Sequence, residues 1–384
     1  MNIARAVVFL LAWPTVLVPG AFGEAMKTEN VILVTADGLR WQEVFGGADA
    51  ALMNKKDGGV ADVPALKTAY WRATAEERRR ALMPFVWEIM VPRGRIYGDA
   101  NGGEGARVTN GKNFSYPGYN EILSGVGDPR IDSNAKRPNP NVTVLEWLNT
   151  QPDFRGKVAA FGSWDVFPSI LNRERSGLPV NAAWEPIQAD DLTESEGLLN
   201  LLGRETPHVW ESVRYDSFTT QAAIEHLKKR QPRVLFIGLG ETDEYAHEGR
   251  YDSYLDAAHR FDASLRRLWD SVQSSPQYRD KTSLIVTTDH GRGDAPEGWK
   301  SHGATTKGSE MIWLAAIGPD MPTTGARIDP ASITQSQVAA TVAALLGKGD
   351  AFLTAAPKAA KPIASVIGRP SSPRPASSTA PLKR

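Results

Sequence analysis

Cysteine is missing from all 384 residues. Disulfides are therefore excluded, and a chain that leaves the cytoplasm without them must be held by packing and bound metal. Excess charge is missing too. Lys+Arg and Asp+Glu both number 44, so no net field steers the protein toward nucleic acid. Internal repeats are absent. What remains is an ordinary globular composition, 41% hydrophobic and 23% charged, at a length that suits one large domain or two modest ones.

The two ends differ from the middle. Residues 1–23 carry one positive charge (Arg5), an apolar stretch from Ala6 to Val18, and small residues at Ala21 and Gly23. This is a signal-peptide pattern with cleavage expected after Gly23. Pro14, Pro19 and the shortness of the stretch argue against a membrane anchor. The mature protein is then expected to be periplasmic or secreted, without stable membrane insertion. Residues 351–384 turn rich in Ala, Pro and Ser, with six basic residues and no acid beyond Ala355, and read as a disordered tail. Without that tail and Arg5, 37 basic residues face 44 acidic ones, so the folded part is acidic.

Between the ends, three apolar runs each finish on metal-ligand residue types. V-I-L-V-T-A-D-G brings Asp37, R-V-L-F-I-G-L-G-E-T-D-E-Y-A-H brings Asp243 and His247, and S-L-I-V-T-T-D-H-G brings Asp289 and His290. Short β-branched runs read as buried parallel strands. Ligands of open α/β sheets bind beyond the carboxyl ends of the strands. A metal site at one sheet edge follows, and mixed carboxylate and imidazole donors suit Zn, Mn or Fe better than Ca.

Further strands are predicted at 157–161 and 311–317. Helices are predicted at 73–90, 117–124, 143–149, 217–230, 254–272 and 335–346, the last stopped by Gly347, and 43–67 reads as loop. In 254–272, Leu255, Ala258, Phe261, Leu265 and Leu268 recur at steps of three and four, one helix face. Alternating strands and helices give an α/β sheet covered on both faces.

Two loops complete the constellation. In T-N-G-K-N-F-S-Y-P-G-Y-N-E, Ser115 precedes Pro117 at a helix start, where free N–H groups and a partial positive charge stabilise an alkoxide. By itself such a serine reads as an ordinary N-cap. W-K-S-H-G adds His302. The other histidines, His208, His226 and His259, carry no comparable context and are expected to be structural or exposed.

The ordered series D-G, S-Y-P-G-Y, T-D-E-Y-A-H, T-D-H-G and S-H-G resembles the alkaline phosphatase superfamily. Within it, the likeness is to the nucleotide pyrophosphatase/phosphodiesterase and phosphonoacetate hydrolase branch. The resemblance spans about 30–347 and implies an alkaline-phosphatase-like three-layer sandwich over 24–350; residues 49–95 have no counterpart in the family pattern and are expected to be an insert that covers part of the site. The resemblance implies two divalent transition-metal ions, zinc with manganese as the alternative. Asp37, Asp289 and His290 would hold the metal that also binds the nucleophile Ser115. Asp243, His247 and His302 would hold the second. Asn134, in D-S-N, falls near a phosphate-contacting asparagine of the family, and Lys112 is the nearest cation in sequence.

Departures narrow the reading. Ser115 stands for the threonine of the phosphodiesterases, and Ala246 for the glycine before the second-site histidine. Tyr119 occupies the place of the arginine in the sulfatase S/C-x-P-x-R motif, which directs formylglycine formation. The expectation is an exported metal-dependent hydrolase of small phosphate esters, with a sulfatase-like or phosphomutase-like relative as the alternative. Two cations clamp the entering and leaving oxygens of an in-line displacement, and a serine nucleophile splits the reaction into two steps. Phe114, Tyr116, Tyr119, Trp164 and Phe167 flank the nucleophile in sequence or lie in the S-W-D-V-F-P loop, which favours diesters or aryl phosphates.

Overall fold

The structure, a computed structural model, describes residues 26–102, 105–323, 328–329 and 331–368. The expected leader at 1–23 lies outside the described residues. So do 369–384 of the expected tail. The main sheet is built from β1 (Asn30–Ala36), β2 (Arg95–Tyr97), β4 (Val158–Gly162), β5 (Val180–Ala182), β6 (Val234–Leu239), β7 (Thr282–Thr287) and β9 (Leu314–Ile317), and β3 (Ala106–Arg107), β8 (Met311–Ile312) and β10 (Ile333–Thr334) form a second, small sheet. The main order is β2-β9-β7-β1-β6-β4-β5. β7, β1, β6, β4 and β5 run parallel, and β9 is antiparallel to both β7 and β2.

Side chains alternate across the sheet because the strand period is two. Ile32, Val34, Leu235, Ile237, Leu284 and Val286 face one core with the helix Tyr251–Ser274. Val31, Leu33, Val234, Phe236 and Ile285 face the other, with the helices Ser115–Ser124, Val144–Thr150 and Gln337–Leu345. Two cores separated by one sheet make three layers. Among the described residues no helix is long and apolar enough to cross a membrane.

Several sequence expectations need correction. The segment 43–67 is not loop throughout: Trp41–Gly46 and Val63–Tyr70 are helical, the second capped by Asp62, whose carboxylate accepts from Ala65 N–H at 2.9 Å. The helix expected over 73–90 ends at Leu82, ahead of Pro84, and a π-helical turn follows at Val86–Met90. The strand expected at 311–317 is divided at Trp313 between the two sheets. The tail expected from 351 starts inside ordered chain. Gly349–Ala355 is helical, and Ile363, Val366 and Ile367 are buried in the second core. Three apolar anchors suffice to fasten a stretch whose overall composition looks unfoldable.

The expected insert joins the first core through Leu52, Val60, Leu66, Tyr70, Met83 and Trp87. Toward the site it is tied by Tyr251 N–H donating to Gly58 O at 2.8 Å, the Trp299 indole donating to Asp57 O at 3.1 Å and Asp49 N–H donating to the Tyr251 hydroxyl at 2.7 Å.

A candidate dinuclear metal centre at the strand ends

β1, β6 and β7 are neighbours, so their carboxyl ends deliver side chains to one place. Asp37 follows β1 directly. Asp243 and His247 sit on Glu241–His247, the short helix after β6, and spacing by four residues puts both on one face. Asp289 and His290 follow β7, and His302 returns from the loop beyond. The six ligand-type side chains lie in two groups, Asp37 with Asp289 and His290, and Asp243 with His247 and His302, each with its ligand atoms within 4.8 Å of one another.

The hydrogen bonds fix the tautomers. His290 Nδ1 donates to Gly291 O at 2.9 Å, so Nε2 carries the lone pair. That nitrogen faces Asp37 Oδ1 at 3.2 Å, Asp289 Oδ2 at 3.4 Å and Asp243 Oδ1 at 3.8 Å. Among the described residues neither Asp37 Oδ1 nor Asp289 Oδ2 has a hydrogen-bond partner, although both are buried. A lone pair pointed at bare carboxylate oxygens is repulsive unless a cation sits between them. The second group repeats the pattern. His302 Nδ1 donates to Asn113 O at 3.3 Å, and its Nε2 meets His247 Nε2 at 3.0 Å, with Asp243 Oδ2 3.2 Å from His247. Both groups therefore fit divalent cations, with the backbone carbonyls orienting the rings.

Electrostatics agree. Burial, then the charge of Asp243, pushes the Asp37 carboxyl well above the usual range, and burial, then Asp37, does the same to Asp289. Burial also lowers His290 to about 4 and His302 to about 2, keeping both imidazoles neutral and ready to ligate. Asp243 goes the other way: burial pushes its carboxyl up, but the Arg292 guanidinium and the His247 bond more than offset this and hold it well below the usual range.

Two glycines are required by the packing. At Gly38, φ is +59°, and a Cβ would lie 2.6 Å from Asp243 Oδ1. At Gly118, a Cβ would lie 2.3 Å from the Asp289 carbonyl, so glycine lets the Ser115 helix approach the ligands. Ser115 is the first residue of that helix, with Phe114 as its N-cap, rather than lying just outside it. Its Oγ is 3.5 Å from His290 Nε2. Asn134 is beside the Ser115 turn, its Oδ1 accepting from Tyr116 N–H at 3.0 Å, while its Nδ2 has no hydrogen bond among the described residues. Lys112 is half-buried and makes no ion pair among the described residues.

The aromatic expectation is corrected in part. Tyr116, Tyr119 and Phe167 are buried in the second core, and only Phe114 and Trp164 keep partial exposure. The Tyr119 hydroxyl donates to Asp37 Oδ2 at 3.0 Å, from the position where the sulfatase motif has arginine.

Three supporting residues escaped the sequence reading. Arg292 is fully buried and pairs with Asp243, Gln335 Nε2 donates to Asp289 O at 2.6 Å, and Asp216 caps the Glu241–His247 helix. Arg292 follows T-D-H-G by one residue, the one signal that pointed to it.

Residues 211–348, the stretch carrying both metal groups except Asp37, match the model of the Metalloenzyme superfamily. Among solved structures, the chain is similar to the alkaline phosphatase PafA at 11% identity, covering 90% of this chain and 100% of that one, with a TM-score of 0.56. The fold is that of the alkaline-phosphatase-like metalloenzymes. A candidate sulfatase from Bacteroides thetaiotaomicron is similar at 12% identity over 90% of this chain and 76% of that one, TM-score 0.56. The lipoteichoic acid synthase LtaP from Listeria monocytogenes is similar at 12% identity over 83% and 72%, TM-score 0.51. At such identities the likeness speaks for the fold alone. No curated protein matches the chain in sequence.

Proposed function

We propose that this alkaline-phosphatase-like hydrolase cleaves small phosphate esters by nucleophilic attack of Ser115. One observation carries the reading: Ser115 Oγ heads a helix and lies 3.5 Å from the lone-pair nitrogen of His290, within a cluster of bare carboxylates. Asp37, Asp289, His290 and Ser115 would hold one divalent transition metal and Asp243, His247 and His302 a second, zinc or manganese. Bound there, the pair supplies Lewis acidity and neutralises charge on the phosphoryl oxygens.

The chain's own residues do the rest. Ser115 Oγ forms the bond to phosphorus as the bond to the leaving oxygen breaks, and water then cleaves the phosphoserine ester and restores the hydroxyl. The helix N-terminus favours the negative charge that develops at Ser115. Asn134 Nδ2 is the side-chain donor for a non-bridging oxygen, and Lys112 is the cation for an additional charge. Tyr119 fixes Asp37.

Tyr119 also favours phosphate over sulfate, since arginine is absent from the formylglycine motif. The nucleotide pyrophosphatase/phosphodiesterase and phosphonoacetate hydrolase branch remains the affinity that the motifs support. The signal-peptide pattern supports export.

Bis-aryl phosphate, aryl phosphate and aryl sulfate, assayed with and without chelator, test the proposal together with Ser115→Ala. The variant is expected to lose several orders of magnitude in kcat while keeping two metals per chain by elemental analysis. Sulfate turnover exceeding both phosphates, or full activity in Ser115→Ala, would discard it.

A further inference from the structure

Away from the metal centre, Arg214 presents an unusual state. Only 4% of the residue is exposed, yet no carboxylate comes within ion-pair distance of its guanidinium among the described residues. Nε donates to Thr219 Oγ1 at 3.1 Å and Nη1 to Asn181 Oδ1 at 2.9 Å and Glu185 O at 3.5 Å, while Nη2 is buried without a hydrogen-bond partner among the described residues. The two nearest acids are engaged elsewhere. Glu185 pairs with Arg173 at 3.0 Å, and Asp216 accepts from Ser163, Gly240 and Glu241. A buried, unneutralised guanidinium is costly, and a bound anion is what removes the cost.

Arg214 lines a cavity of about 210 Å³ between the helices Glu194–Glu205 and Asp216–Arg230. Trp184, Phe218 and Leu199 supply its apolar wall, and Arg204 and His208 bring further basic side chains, against the single acid Glu185. The His208 ring is stacked on Trp184 with centroids 3.6 Å apart, which fixes that wall. The space is smaller than the ~300–1,000 Å³ of drug-sized sites, so the occupant is small. One buried guanidinium charge beside one acid suits a monoanion better than a dianion. Flat walls suit a ring.

We propose that this cavity is a second ligand site that binds a small aromatic or otherwise flat organic carboxylate, its carboxylate paired with the charge of Arg214 where that residue lines the cavity and its apolar part against Trp184 and Phe218. The site shares no residue with the metal groups and does not depend on the function proposed for them. It is not isolated from them, however. Arg214 Nε, Thr219 Oγ1, Ser163 Oγ and Asp216 form a continuous hydrogen-bonded chain that ends on the backbone N–H groups of Gly240 and Glu241, at the start of the helix carrying Asp243 and His247.

Calorimetric titration of the metal-loaded full chain with benzoate, and in parallel with neutral benzamide, tests the site. One saturable benzoate site at ~1 mM or tighter is expected, with benzamide weaker by about tenfold or more. Arg214→Met and, separately, Leu199→Trp, which fills the cavity, should each weaken benzoate by at least about tenfold in proteins whose melting shows them folded. If Arg214→Met does not fold, Leu199→Trp carries the test, and a benzoate-soaked crystal of the unaltered protein locates the carboxylate. No saturable binding, equal binding of benzamide, or undiminished binding in Leu199→Trp would overturn the proposal.

Discussion

The Arg292 guanidinium, completely buried, is ion-paired with Asp243, the carboxylate that lies between the two ligand groups. Its Nη1 is tied to Lys300 O at 2.8 Å and its Nη2 also reaches Asp243 O at 3.1 Å, so the side chain is held in place by the loop that leads to His302. Two roles follow from one contact. Arg292 orients a ligand, and it balances a charge that would otherwise be buried alone. Arg292→Met should therefore destabilise the metal-free protein by ~3–5 kcal/mol, the cost of stranding a buried charge. Metal at the site takes over the balancing, so the loss should shrink when metal is present. Thermal melts of both proteins with and without metal read the difference directly. An equal loss in both states would assign Arg292 to packing alone.

Asp216 acts one step further out. Its carboxylate accepts from Gly240 N–H at 2.7 Å and Glu241 N–H at 3.1 Å, and Asp216 N–H donates to Glu241 Oε1 at 3.0 Å. This reciprocal cap fixes the start of the helix that carries Asp243 and His247. Asp216→Ala should cost ~1–2 kcal/mol of stability as a lost cap, and should weaken metal at the Asp243 group by ~10–100-fold as a lost outer support. Metal titration by calorimetry checks the second figure. Unchanged affinity at both metals would show that the helix holds its position without the cap.

Four of the candidate ligands that were legible in sequence share one property: Asp37, Asp243, Asp289 and His290 each sit within a few residues of the strand that positions them. Asp37, Asp289 and His290 follow apolar runs whose period and ending announce them, and His247 repeats Asp243 at one helical turn. Arg292, Asp216 and Gln335 act on residues far away in sequence, 49, 24 and 46 positions distant, so no local pattern marks Asp216 or Gln335 and only its place after T-D-H-G marks Arg292. Composition misled where a few anchors outweigh it. Leu66 and Tyr70 fold a polar stretch into helix, and Ile363, Val366 and Ile367 dock a stretch rich in alanine and proline. Tyr116, Tyr119 and Phe167 look like a substrate surface from their proximity to Ser115, but the face they share with the second core decides otherwise.

His226 provides a pH test that avoids the metal ligands. Its ring lies against Phe161 with centroids 5.2 Å apart, and burial, then the charge of Arg230, lowers its pKa to about 4. The folded value is below the unfolded one of about 6.5. Its contribution to stability is therefore fully present above pH ~6.5 and is lost as pH falls from there toward 4. Partial exposure reduces the effect to ~2 kcal/mol. His226→Phe should lose that much less stability than the unaltered protein between pH 7 and 4. Urea unfolding at the two pH values measures it, and parallel losses in the two proteins would exclude the assignment.

Lys112 bears on the choice between monoesters and diesters. With three of the five flanking aromatics in the core, Phe114 and Trp164 are left to meet a second ester substituent. They still favour a diester, but on less surface than the sequence suggested. A monoester carries one more charge on its non-bridging oxygens, and a cation must answer it. Lys112 stands three residues before Ser115, and its backbone N–H is anchored to Asn110 Oδ1 at 2.7 Å, which fixes where the side chain begins. Lys112→Gln should therefore lower kcat/KM for aryl phosphate by about tenfold, ~1.4 kcal/mol of transition-state stabilisation, and for bis-aryl phosphate by threefold or less. In the unaltered protein the diester should be the better substrate. A monoester preference of a hundredfold or more, ~2.7 kcal/mol, with Lys112→Gln abolishing it, would make this a monoesterase organised around Lys112 and leave the fold and the two ligand groups as described.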